Sequence, residues 1–185
     1  MNLKLQEKEA VMIQIIAIAV VFLIAGLLAF AATRPDEFEV QRTASIKAAP
    51  EKIFPYINDL HSWGLWSPYE KKDPAMKRTY SGSAGKGAAY EWEGNGEVGK
   101  GRVEIRSTVP FSEVLIKLDM IKPIKGHNSV RFLLEPEGEV THVTWAMRGD
   151  RSYVAKVLGL FINIDRMIGT DFEAGLVNLK ALVEK

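Results

Sequence analysis

The sequence predicts one α+β domain, a curved antiparallel sheet covered by a long C-terminal helix, carried behind a single membrane-spanning helix. Three observations predict it. Residues 11–32 form an uncharged apolar run. Residues 38–148 contain short runs in which apolar and polar side chains alternate. Residues 164–183 place apolar side chains three and four positions apart, the period of an amphipathic helix.

The apolar run, Val11–Ala32, reads VMIQIIAIAVVFLIAGLLAFAA, with Gln14 as its one strongly polar residue. At 1.5 Å per residue it reaches about 33 Å, enough to cross a hydrocarbon core of about 30 Å. A soluble core helix of this length would carry a polar outer face, which this run lacks. Ala29-Phe30-Ala31 fits a small-x-small cleavage pattern, so a removable signal peptide is the alternative. Against it, the run exceeds the usual apolar region of such peptides, and the tail of residues 1–10 mixes Lys4 and Lys8 with Glu7 and Glu9. The expected product is a single-pass membrane protein with its tail in the cytoplasm and its domain on the extracytoplasmic side. The flanking cations nearly balance, Lys4 and Lys8 against Arg34, Arg42 and Lys47, so they do not set the orientation alone.

Residues 33–37, Thr-Arg-Pro-Asp-Glu, form a short polar connector, and the folded domain is expected over 38–185. Residues 38–47 alternate as a strand whose apolar face is interrupted by Arg42. Ala48-Ala49-Pro50 opens a helix with proline in its first turn, and Ile53, Phe54 and Ile57 give it an apolar stripe. A tryptophan-rich turn follows, with Trp63 and Trp66 expected to pack at the end of that helix. Six strand-like runs come next: 76–81, 88–93, 98–107, 111–121, 130–134 and 140–148. Tyr90 and Trp92 share a face, Val114, Ile116, Leu118 and Met120 share another, and Val143, Trp145 and Met147 a third. One buried and one wet face per strand is the pattern of an antiparallel sheet. From about Ser152 onward the strand alternation ends, and Ile164, Ile168, Phe172, Leu176, Leu179 and Val183 form one stripe. This helix is the element long enough to cover the sheet.

Composition narrows the function. A net charge of +1 gives no basic excess for nucleic acid, and the absence of cysteine removes disulfides, thiolate metal sites and cysteine nucleophiles. His61, His127 and His142 do not stand at metal-ligand spacing, so no metal or cofactor is assigned. Gly94-Asn95-Gly96-Glu97-Val98-Gly99 matches G-x-G-x-x-G, but a strand follows instead of the helix whose N-terminus would receive phosphate. The run is a hairpin turn. No G-x-S-x-G elbow is present, and no catalytic set is assigned.

The stretch Ala44–Pro68, with Ala49-Pro50, Asp59, Trp63 and Trp66, resembles the opening of the polyketide cyclase/dehydrase and lipid-transport family of the SRPBCC (START-like, helix-grip) superfamily. Gly101 inside a strand, Pro110 before the next one, and Gly169–Leu176 with Leu179 extend the resemblance over about 38–185. It implies a bent sheet gripping the last helix, with a cavity between them. It implies no universal catalytic residues.

The residues themselves point to a ligand. Tyr90, Trp92, Trp145 and Met147 are expected to face the last helix and converge on Met167 and Phe172. Large rings with few polar groups suit a hydrophobic small molecule or lipid. The expected function is a membrane-anchored carrier or binding protein. A polyketide cyclase or dehydratase is the alternative, and would need a polar group inside, from Asp165, Arg42 or Tyr90. Asp165 is otherwise expected to pair with an arginine such as Arg166. A non-catalytic interaction module with a filled core is the third reading.

Overall fold

The computed structural model describes residues 2–185. The chain forms two compact units. The first holds α1 (Asn2–Ala32) and α4 (Tyr153–Leu158) with their connectors, and the second holds Glu37–Asp150 and Asn163–Lys185. The segment 151–162, which the sequence pattern assigns to the domain, thus groups with the apolar helix. Helix α1 starts inside the expected tail and continues into the apolar run without a break. It is long and apolar enough to cross a membrane, and its large side chains face outward, Phe22 at 74% and Leu23 at 65% exposure.

The second unit is built on a seven-stranded antiparallel sheet: β1 (Glu37–Ile46), β2 (Lys77–Ser81), β3 (Ala89–Glu93), β4 (Lys100–Val109), β5 (Glu113–Lys122), β6 (Gly126–Glu137) and β7 (Val140–Asp150). The order across the sheet is β1-β7-β6-β5-β4-β3-β2. Residues opposite each other in antiparallel strands share a face, so the register stacks the inner face in rows. One row runs Arg42, Trp145, Phe132, Val114. The next runs Val40, Met147, Val130, Ile116, Ile105. A third runs Phe38, Gly149, Asn128, Leu118, Val103, Tyr90, Tyr80. The last runs Gly126, Met120, Gly101, Trp92, Arg78. The opposite face carries Lys117, Glu104 and Glu91, which is the alternation read from the sequence.

Between β1 and β2 lie α2 (Pro50–Asn58), a 3₁₀ turn (Leu60–Leu65) and α3 (Pro68–Lys72). Helix α2 buries Ile53, Phe54 and Ile57. The turn is tied back to α2 by its indoles: Trp63 Nε1 donates to the Ile57 carbonyl at 3.0 Å and Trp66 Nε1 to the Tyr56 carbonyl at 2.9 Å. Gly94–Gly99 is the expected turn, closed by the Gly94 N–H on the Gly99 carbonyl at 2.9 Å and followed by β4.

The C-terminal helix, α5 (Ile164–Val183), is separate from α4. Gly159 ends α4, and the Asn163 side chain starts α5 by accepting the Arg166 N–H at 2.9 Å, satisfying a donor that the first turn leaves open. Helix α5 packs chiefly along β1, burying Phe172, Leu176, Leu179 and Val183.

Candidate functional site

The inner face has two differently built ends. At the α5 end, the rings close on one another. Trp145 stacks on Phe172 with centroids 4.1 Å apart and planes 11° from parallel. Phe132 lies 4.9 Å and Trp66 5.5 Å from the Trp145 ring. Exposures of 0–3% for these four residues show that water is excluded. Trp145 Nε1 is buried with no hydrogen-bond partner among the described residues, an uncompensated donor inside an apolar cluster.

Beside Trp145 in the same row, Arg42 reaches from β1 onto α5. Its Nε donates to Glu173 at 2.6 Å, and Nη1 and Nη2 donate to the Asp165 carboxylate at 3.1 and 3.0 Å. Nη1 also donates to the Gln41 carbonyl and Nη2 to the Asp165 carbonyl. The fork is fully used, and its bidentate geometry is one that only arginine supplies. Two glycines admit these neighbours. A Cβ on Gly169 would fall inside the guanidinium, and one on Gly175 would fall 2.7 Å from the Trp145 ring. The hydrogen bond from Arg42 holds the Asp165 carboxyl below the ordinary carboxylate range, so Asp165 is a charged clasp residue. Its partner is Arg42 and not Arg166, because the helix face that carries Asp165 and Gly169 is the one laid on β1.

At the other end, the layer stays half open. Trp92, Leu118 and Met120 are partly exposed, side by side with the buried Tyr90, Val103 and Met147. The Trp92 ring lies over Gly101, where a Cβ would fall 2.5 Å from it, and Nε1 donates to the Val98 carbonyl at 2.9 Å. The aromatic row continues to the sheet edge: Trp92 to Tyr90 at 5.8 Å, Tyr90 to Tyr80 at 4.9 Å, Tyr80 to His61 at 4.2 Å. Charge enters only at that edge. The Tyr90 hydroxyl donates to Glu70 Oε1 at 3.1 Å, and Arg78 Nε donates to Glu70 Oε2 at 2.8 Å. Burial first, and then the Glu70 carboxylate, push the Tyr90 phenol well above its usual range. Tyr90 is therefore a neutral proton donor held by a carboxylate–guanidinium pair.

The six expected ligand residues thus divide. Trp145 and Phe172 meet each other, Tyr90 and Trp92 meet each other two and three rows away, and Met147 lies in the row next to Trp145. Met167 does not join them. It is 57% exposed, because five residues from Phe172 is about 140° around a helix. Ile168 packs against the core in its place. Leu118, Met120 and Val103 were missing from the expected set, although strand alternation aims them at the same face. Glu70 and Arg78 had no sequence signal, since short β2 and α3 carry no apolar period. A separate groove of about 270 Å³ lies on the opposite face, lined by Arg106, Leu115, Lys117, His127 and Ser129.

A seven-stranded antiparallel sheet gripping a C-terminal helix over an apolar inner face defines the helix-grip class, the architecture of the SRPBCC superfamily. Within it, the chain belongs to the family described as polyketide cyclase/dehydrase and lipid transport, whose model matches residues 37–184. Solved structures agree on the fold. Protein CV1439 of Chromobacterium violaceum is 16% identical, with a TM-score of 0.57 over 82% of this chain and 99% of that one. The Aha1 dimer of Colwellia psychrerythraea is 18% identical, with a TM-score of 0.57 over 80% and 96%. The di-domain ARO/CYC StfQ from the steffimycin biosynthetic pathway is 10% identical, with a TM-score of 0.61 over 80% of this chain and 51% of that one. No curated protein matches the chain in sequence.

Proposed function

We propose that the chain is a membrane-anchored binding or carrier protein for a hydrophobic small molecule or lipid. Helix α1 is the anchor, the connector of residues 33–37 is the tether, and the half-open end of the inner face, around Tyr90, Trp92, Met147, Leu118 and Met120, is the ligand surface. The observation that carries this reading is that surface itself. Partly exposed Trp92, Leu118 and Met120 stand side by side, and the only charge in their two rows is Arg78 at the sheet edge. Such a layer suits an apolar ligand, since the Tyr90 hydroxyl and the Trp92 indole N–H already donate to Glu70 and to the Val98 carbonyl. The family's coupling of lipid transport with polyketide chemistry, both hydrophobic cargoes, supports the same class of ligand. The test is photo-cross-linking of the full chain in nanodiscs doped with a photoactivatable fatty acid. Cross-links are expected on peptides carrying Trp92 and Met120, and are expected to fall sharply in Leu118→Asp. Cross-links confined to residues 11–32 would overturn the ligand surface.

One observation favours an enzyme on the same surface: Glu70 and the Tyr90 hydroxyl form a hydrogen-bonded acid–base pair at the edge of the apolar layer. A cyclase or dehydratase acting on a polyketide-like substrate would lose turnover in Tyr90→Phe while keeping its cross-links. A carrier would lose neither function.

A further inference from the structure

After β7 and Arg151, the eleven residues 152–162 lead to the cap of α5 and include α4. They read SYVAKVLGLFIN up to Asn163 and carry one charge, Lys156. That charge is turned inward: Lys156 is 8% exposed, and its ammonium pairs with Asp36 in the connector after α1. What faces outward is apolar. Exposures are 48% for Tyr153, 61% for Val154, 40% for Leu158, 73% for Phe161 and 47% for Ile162. Five large apolar side chains uncovered within ten residues is a concentration that soluble surfaces avoid.

The segment is fixed to the apolar helix. The Tyr153 hydroxyl donates to the Leu28 carbonyl at 2.9 Å, and the Arg151 N–H donates to the Asp36 carbonyl at 2.6 Å. Leu28 is four residues before the end of the apolar run, about 6 Å along the helix axis. The hydrogen bond therefore sets Tyr153 at the depth where the span leaves the hydrocarbon, the level that tyrosine occupies in membrane proteins.

We propose that residues 153–162 lie in the membrane interface as a second, in-plane contact, with Val154, Leu158, Phe161 and Ile162 inserted among the lipids beside the end of α1. The inference rests on the anchoring role proposed for α1. Its occupant is the bilayer, because the segment is bonded to a helix whose own outward side chains suit lipid at that depth. The segment runs directly in sequence into Asn163, the cap of α5.

The chain contains no cysteine, so single-cysteine labels report cleanly. Phe22→Cys, Val154→Cys, Phe161→Cys and, as a control in the β6–β7 turn, Glu139→Cys would each carry an environment-sensitive fluorophore on the full chain in nanodiscs. Labels at 22, 154 and 161 should be quenched by lipid-borne nitroxides and several-fold less by aqueous iodide than the label at 139, with 154 and 161 responding best to nitroxides near the headgroups. Iodide access at 154 and 161 with protection at 22 overturns the in-plane contact and leaves the anchor standing. Protection at 154 and 161 without nitroxide quenching points to a protein partner and also overturns it. Iodide access at 22 overturns the anchor, and this inference with it.

Discussion

The two ends of the inner face use the same kinds of residue and finish in different states. Around Trp145, four rings from β6, β7, the tryptophan turn and α5 close on each other at centroid distances of 4.1–5.9 Å. Around Trp92, the ring covers the bare backbone at Gly101, and its neighbours Leu118 and Met120 keep part of their surface. Strand alternation is as regular at one end as at the other, so the difference lies in what covers the sheet. Helix α5 runs chiefly along β1, drawn there by Arg42. Ring chemistry is alike at the two ends; what differs is whether the row is covered.

The comparison predicts that charge is intolerable at the closed end. Phe172→Asp places a carboxylate inside the ring cluster around Trp145 and should cost on the order of 4–5 kcal/mol, unfolding the domain in thermal or urea melts. A melting temperature within a degree or two of wild type would break the assignment of the closed end. Truncation should separate the two ends next. Phe132→Ala, at 0% exposure, should cost about 3–5 kcal/mol, and Met120→Ala under about 1.5 kcal/mol, measured by urea unfolding. Equal costs would mean that Met120 is as firmly packed as Phe132.

The clasp that positions α5 gives a smaller effect. Gly169→Ala should cost about 1–3 kcal/mol by displacing the Arg42 guanidinium. In an Arg42→Ala background the same change should cost almost nothing, and an undiminished cost would show that Gly169 serves some other contact. The smallest effects are in pH dependence. Asp165 has a lowered folded-state value, so its contribution is complete above the unfolded carboxyl value of about 3.9 and is lost as pH falls below it. Asp165→Asn should flatten that acid limb. Tyr90 has a raised value, so its contribution is complete below the unfolded phenol value of about 10 and is lost as pH rises above it. Tyrosinate absorbance should show one late-titrating tyrosine fewer in Tyr90→Phe.

What the sequence by itself determined is what local periodicity encodes. The apolar length of residues 11–32, the two-residue alternation of the strands and the stripe of α5 are each readable in a window of one element, and the order of elements follows. The turn at Gly94–Gly99 was legible for the same reason, since a strand had to follow it. What only the tertiary structure decided is which elements meet. Arg42 reads as a flaw in an apolar strand face until α5, more than a hundred residues later, brings Asp165, Gly169 and Glu173 to it. Met167 is different, because its rotation of about 140° from Phe172 follows from helix geometry alone. Glu70 is an ordinary surface carboxylate in sequence and a half-buried acceptor for Tyr90 and Arg78 in space. Residues 152–162 show in sequence only that strand alternation has ended, yet Gly159 and Asn163 set them off from α5 and Tyr153 binds them to α1. Periodicity tells a side chain which way to face along its own element. Only packing between distant elements decides what it faces, because that choice is made by shape and charge complementarity across the whole chain.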